Sequence, residues 1–296
     1  MKKFLYKIKR LFIKEKPKYL PTEYLNALKE NIKYKNIHSG KRCFVLGNGP
    51  SLKDLDPSLL KDEYVFTVNQ IARFKNFEQF NTNYHFWIDP AFFKFDKDKQ
   101  EDLELLEVFK SVKTSNNTPT CFFSLRSGYN FVTQHELSKH FNVSFLCDSP
   151  YEDRSIGFID NEYPIIDATS HIPGFHNVVQ WATAMAIYMG FSEIYLLGCD
   201  CTNLMVTIKS ALKSNDSNDY AYEISPNEKR RMENLLKTNS LEQYTLSYLE
   251  TLRGFRWLNG YCNTHGIKLI NLSTQTVIDN IPRDTIENVL KNGQKK

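Results

Sequence analysis

Cys43-Phe44-Val45-Leu46-Gly47-Asn48-Gly49-Pro50-Ser51 is an apolar run that stops at a tight, glycine-containing turn. An apolar run of this kind is a buried strand, and glycine at its end lets a ligand approach the backbone without side-chain obstruction. Leu52-Lys53-Asp54-Leu55-Asp56 follows and is polar and helix-permissive. The turn therefore stands where doubly wound α/β folds place ligands, at the carboxyl end of a strand. Backbone N–H groups there suit a phosphate or a ribose. The segment is neither Gly-x-Gly-x-x-Gly nor a loop ending in Gly-Lys-Ser/Thr, which argues against a dinucleotide dehydrogenase and an ordinary P-loop NTPase. A purely structural turn has no use for Asn48, whose amide both donates and accepts.

Outward from this turn, strand-like runs recur at 42–46, 64–68, 84–88, 120–125, 143–146, 193–197 and 267–271. Helical patterns lie between and after them, at 22–35 with Thr22 capping, and at 99–113, 133–140, 176–190, 228–237 and 241–264. Such alternation predicts an α/β, Rossmann-like fold: a mostly parallel sheet covered by helices on both faces. With 296 residues, 41% hydrophobic and 14% aromatic, the chain suffices for a sizeable core. The six cysteines are scattered through apolar segments, as reduced thiols used for packing are. No zinc spacing stands out around Cys199 and Cys201.

The net charge of +4 is a property of the N-terminus, since residues 1–18 hold eight Lys or Arg and one Glu, leaving −3 for the rest. On a helix Phe4, Leu5, Ile8, Leu11 and Phe12 share one face and Lys3, Lys7, Arg10 and Lys14 another. That pattern suits an anionic membrane interface, with a solvated helix packed on the domain and nucleic-acid binding as alternatives. The remainder has no basic patch interleaved with aromatics, so no nucleic acid is expected. No apolar run reaches the ~20 residues of a bilayer span, and no secretory signal is evident, which places the expected protein in the cytoplasm. Two regions follow: a basic helical extension at 1–38 and a catalytic domain at 39–290. Asn203 to Asn227 is polar and turn-rich and reads as a lid or as a plain solvated loop.

Other strand ends are also polar: Val68-Asn69-Gln70, Ile88-Asp89-Pro90 and Leu197-Gly198-Cys199-Asp200. Amides suit a nucleobase or ribose, whereas Asp89 and Asp200 accept from hydroxyls, hold a metal or take a proton. Helix 176–190 starts with His176-Asn177, where its dipole favours a phosphate. His171 and His176 are the candidate imidazole bases near that end. His85 lies in a strand core. Tyr220 and Tyr222 reach a leaving phosphate if the insertion folds over, and are otherwise simply exposed.

With Gly47-Asn48-Gly49-Pro50-Ser51-Leu52, Val68-Asn69-Gln70 and Ala184 to Asp200 on one chain, the sequence resembles the bacterial sialyltransferases of glycosyltransferase family 42 and the related domain of unknown function 115. The resemblance implies one Rossmann-like nucleotide-sugar-binding domain with a lid, and transfer of a nonulosonic acid from a CMP donor with inversion, with neither metal nor other cofactor. It implies nucleotide binding by Gly47, Asn48, Gly49, Pro50, Ser51, Asn69, Gln70, Asn177, Gly198 and Thr202, with Asp89 at the place of a donor-binding asparagine. The family's lid histidine has no counterpart between His176 and His265, so His176, Asp89 and Asp200 are the candidates for the base. Expected partners are a CMP-sugar, a glycan or lipid-linked glycan acceptor and the inner face of the cytoplasmic membrane, with a homo-oligomer left open. The other branch of the resemblance implies a Mg²⁺-dependent pterin-type pyrophosphokinase using ATP. A non-catalytic nucleotide-binding module of glycan assembly is the third reading.

Overall fold

The computed structural model describes residues 20–112, 117–148, 163, 165–211, 220–236 and 240–293. The basic segment 1–18, with its expected amphipathic helix, lies outside them.

Seven strands, β1 (Arg42–Leu46), β2 (Tyr64–Val68), β3 (Tyr84–Trp87), β4 (Thr120–Ser124), β5 (Asn142–Leu146), β6 (Glu193–Leu197) and β7 (Lys268–Asn271), make one sheet in the order β5-β4-β3-β2-β1-β6-β7. Every neighbouring pair is parallel. The chain winds outward from β1 to β5 and then crosses back to lay β6 on the other side of β1. That reversal opens a crevice beyond the carboxyl ends of β1 and β6.

Both faces of the sheet are covered, which the period of two along β1 makes visible. Cys43 and Val45 enter one core with Phe66, Phe86, Met185 and Leu196. Phe44 and Leu46 enter the other with Trp87, Phe109, Phe123 and Tyr195. Each fully buried phenylalanine contributes about 1.5–3 kcal/mol, and the aromatic-rich sequence supplies many. Helix α4 (Val178–Tyr188) is buried at every residue from Val179 to Tyr188. Ala182, Ala184 and Ala186 leave room for it to lie close against the strands. Helix α7 (Leu241–Thr264) packs beside α4, where Gln180 Nε2 donates to the Thr251 carbonyl at 2.6 Å. The opposite face carries α2 (Gln100–Lys110), α3 (Leu125–Gln134) and α8 (Ile286–Gly293). Helix α1 (Thr22–Lys29) packs on the β5 edge, and α5 (Asn203–Ala211) and α6 (Pro226–Leu236) lie within or just after the segment read as a lid.

Three local expectations fail for physical reasons. The residue before α1 is Pro21 and no side chain caps that helix, so Thr22 is not a cap. The stretch after the glycine turn makes only a 3-10 turn at Pro50–Leu52, because proline opens it and the chain turns away within three residues. The helix expected at 133–140 lies at 125–134, capped by the Ser124 hydroxyl. Gly128 disguised it: a Cβ there would lie 3.0 Å from the Phe93 ring, so a residue that reads as a breaker here permits a tight packing contact.

Candidate functional site

The glycine turn is shaped by how close β1 comes to β6. Gly47 N–H donates to the Leu197 carbonyl at 2.7 Å and Gly49 N–H to the Gly198 carbonyl at 2.8 Å. A Cβ on Gly47 would stand 2.4 Å from the Gly198 oxygen, and one on Gly49 would stand 2.6 Å from the Asp200 carboxyl carbon. Gly198 itself has φ +61°, in the left-handed region. The glycines are therefore explained by backbone contact. Contrary to the sequence reading, the N–H groups of Gly47 and Gly49 are spent inside the protein and are not offered to a phosphate.

Asp200 completes this floor. Its side chain accepts from the Ser51 N–H at 2.8 Å, from the Ser51 hydroxyl, and from Gln275 Nε2 at 3.4 Å. Burial pushes its carboxyl above the usual carboxylate range, and the Ser51 and Gln275 hydrogen bonds pull it back only in part. A carboxylate engaged in this way fixes the turn, and Ser51 serves it. Pro50 starts the 3-10 turn and is not among the residues lining a cavity.

Two adjoining cavities open along the carboxyl ends of the strands. One, of about 250 Å³, is lined by Gly47, Asn48, Gly49, Gly198, Asp200, Thr202 and Tyr220 among others. The second, of about 350 Å³, is lined by Asp89, His176, Phe175, Trp181 and Ser247 with their neighbours. Asn69 and Asn177 line both, so the polar strand ends named from sequence border one continuous cleft. The Oδ1 atoms of Asn48 and Asn69 are buried and accept no hydrogen bond from the described residues. Asn69 also takes φ +49° and Cys201 φ +54°, each a backbone cost of about 1–3 kcal/mol placed on the cleft.

The remaining candidates divide. Asn177 caps α4, its Oδ1 accepting from Val179 N–H at 2.8 Å, which leaves Nδ2 and one lone pair of Oδ1 for a ligand. Asp89 is exposed, and one of its oxygens accepts from Ala91 N–H at 2.9 Å. His176 is half-buried on the same cavity. His171 instead lies 3.5 Å from Arg126, on the β5 side, and lines neither cavity. His85 is fully buried against the Thr67 hydroxyl at 2.7 Å, and burial lowers its pKa to about 3.

Gln70 turns away from the cleft. Its Nε2 donates to Glu228 at 2.7 Å and its Oε1 accepts from Arg73 Nε at 2.7 Å. It belongs to a polar clamp that holds α6: Arg73 pairs with Glu104 at 2.5 Å, Ser225 and Asn227 donate to Glu104 at 2.6 and 2.8 Å, and Arg231 forks onto Glu228 at 2.7 and 2.8 Å. Residues 212–219 of the segment read as a lid are outside the described residues, while Ala221 N–H donates to the Asn48 carbonyl at 3.0 Å. Tyr220 is half-buried, and its ring stacks on Tyr222 at 5.3 Å. Tyr222 is 6% exposed, and burial pushes its phenol well above the ordinary value, so it is a packing residue and not an exposed donor. Sequence reading missed Ser247, Gln275, Glu228 and Arg231, because nothing local distinguishes a serine or a salt-bridged pair on a polar helix.

A parallel sheet reversing at β1, with a glycine turn at the reversal, defines a Rossmann-like α/β protein. The family model described as 6-hydroxymethylpterin diphosphokinase MptE-like matches residues 22–204, and the chain belongs to that MptE-like family. Among solved structures, the sialyltransferase CstII from Campylobacter jejuni, in complex with a substrate analogue, cytidine-5'-monophosphate, aligns at 20% identity and a TM-score of 0.34, covering 82% of this chain and 84% of that one. A likeness so distant bears on neither ligand nor activity. No curated protein matches. Among the described residues no helix is long and apolar enough to cross a membrane.

Proposed function

We propose that the chain is a nucleotide-dependent transferase and, within that class, a glycosyltransferase that passes a nonulosonic acid from a CMP-activated donor to a cell-surface glycan acceptor, with inversion and without a metal. The observation that carries this reading is the pair of buried, unmet amide oxygens, Asn48 Oδ1 and Asn69 Oδ1, on two residues that line one cavity. A buried acceptor left without a donor costs about 1–3 kcal/mol, so two of them favour a ligand that brings donors. Ribose hydroxyls and a nucleobase amino group are such donors; an ionised phosphate is not. The motif resemblance to the sialyltransferases supports cytidine among the nucleotides.

In this reading Asp89 and His176, on the wall of the larger cavity, flank the acceptor. The acceptor hydroxyl gives its proton to one of them as its oxygen bonds to the anomeric carbon, and the bond from that carbon to the phosphate oxygen breaks, releasing CMP. Asp200 acts as a positioning residue through Ser51. The basic segment 1–18 brings the enzyme to an anionic membrane surface where lipid-linked acceptors lie.

The family match favours a second reading, a Mg²⁺-dependent pterin-type diphosphokinase using ATP. Among the described residues no group of three or more His, Cys, Asp or Glu side chains is arranged to hold a metal ion. Mg²⁺ is commonly held by one or two carboxylates together with the nucleotide phosphates, and Asp89 fits that smaller role. The ion would neutralise phosphate charge during transfer.

Calorimetry with CMP, UDP, GDP and ATP, followed by turnover with and without EDTA, tests the pair. Preference for CMP with EDTA-resistant transfer is the result expected of the glycosyltransferase. Binding of ATP with EDTA-sensitive turnover is expected of the diphosphokinase, and failure to bind any cytidine nucleotide refutes the leading reading.

A further inference from the structure

No lysine or arginine is among the described residues that line the two cavities. The N–H groups of Gly47, Gly49 and Ser51 are also committed, to Leu197, Gly198 and Asp200. A nucleotide brings at least one negative charge, and the cleft walls described above answer the nucleoside without answering that charge.

One guanidinium lies beside the turn that carries Asp89, although it lines neither cavity. Arg231, on α6, has a side chain only 11% exposed. Its Nε and Nη2 fork onto Glu228, and the guanidinium lies 5.0 Å over the ring of Phe92, which follows Asp89 in the chain by three residues. Burial works against its charge, but Glu228 and then Asp89 more than offset this and hold the group firmly cationic. Asp89 lines one cavity and Tyr220 the other, and the contact with Phe92 sets Arg231 beside the turn that begins at Asp89. Its Nη1 is buried and meets no acceptor among the described residues. A planar fork held on one edge by a carboxylate, with a second edge unmet, is suited to receive an anionic oxygen.

We propose that Arg231 is the anion-binding residue of the cleft, with Nη1 donating to a phosphate oxygen of the bound nucleotide. The assignment rests on reading the cleft as a nucleotide site. Because Nη1 is buried, a phosphate reaches it only when a neighbouring side chain moves aside. Arg231 then sets the nucleotide's phosphate near Asp89 and the larger cavity, where the transferred group must emerge.

The test compares a nucleoside with its own phosphorylated forms, so that damage to folding cancels. Cytidine, CMP, adenosine and ATP are titrated calorimetrically into the full chain, into Arg231→Lys, and into the double variant Glu228→Gln with Arg231→Gln, which removes both buried charges together. In the double variant, nucleoside affinity is expected to stay within about twofold while the advantage of the phosphorylated form falls about tenfold or more. Arg231→Lys keeps the charge without the fork and is expected to fall between. An unchanged ratio of nucleotide to nucleoside affinity in both variants overturns the role of Arg231 alone. Failure of the unaltered chain to bind either nucleosides or nucleotides overturns the nucleotide reading of the cleft and the Arg231 assignment with it.

Discussion

The floor and the flank of the cleft are held by opposite kinds of force. At the floor, β1 and β6 meet through backbone hydrogen bonds at Gly47 and Gly49, set between two apolar cores, with no room for a single added carbon. At the flank, α6 is secured by charged and amide side chains, among them Gln70, Arg73, Glu104, Glu228 and Arg231. Shape defines the first and charge the second. A residue far along the chain, returning after a polar stretch, can be docked by long side chains where a strand cannot follow. The consequence is unequal vulnerability: the flank depends on complete charge pairing, and the floor on the absence of side chains.

The largest effect is expected from Glu228→Ala, since Glu228 is 4% exposed and its loss strands a buried guanidinium. Breaking a buried pair in this way costs about 3–5 kcal/mol. Hydrogen exchange should quicken across α6 while amides of β1 and β6 stay protected; equal loss in the strands would erase the distinction between the two regions. Gly47→Ala comes next, at about 1–3 kcal/mol for the forced movement of the Gly198 carbonyl. Nucleotide binding is expected to vanish with α6 still protected, and retained binding would show that the glycine contact is dispensable.

A third effect, on the sheet side, is set by pH. His85 takes up its proton near its ordinary value of 6.5 in the unfolded chain and only at about 3 when folded, because burial disfavours the charged ring. Unfolding therefore binds a proton throughout that window, and stability falls as pH falls, by about 1.4 kcal/mol per unit. In His85→Gln the slope of unfolding free energy between pH 6 and pH 4 should be shallower by about one proton. An unaltered slope would mean that the imidazole is not held neutral by the fold.

Much of this architecture was legible in the sequence because it depends on local pattern. Strands β1, β2 and β6 and helix α7 fall at the expected boundaries, since apolar runs and helical periodicity report burial directly. Helix α3 escaped because Gly128 answers to Phe93, a partner remote in sequence. The site was readable as a set of polar strand ends, and Asn48, Asn69, Asp89, Asn177 and Asp200 do border one cleft. Their separate duties were not readable. Whether an amide lines the cleft, as Asn48 does, or braces a helix, as Gln70 does, depends on partners such as Arg73 and Glu228, which sequence spacing does not bring together.

The smallest expected change in stability accompanies the most direct test. Asn48→Ala removes a buried oxygen that has no partner among the described residues, so unfolding free energy should change by no more than about 0.5 kcal/mol. Calorimetric titration of CMP into the unaltered chain and this variant then measures what that oxygen is for. Binding that weakens about tenfold in the variant, at unchanged thermal stability, is the expected result; equal affinity in the two proteins would contradict the claim that the unmet amides of the cleft await a nucleotide.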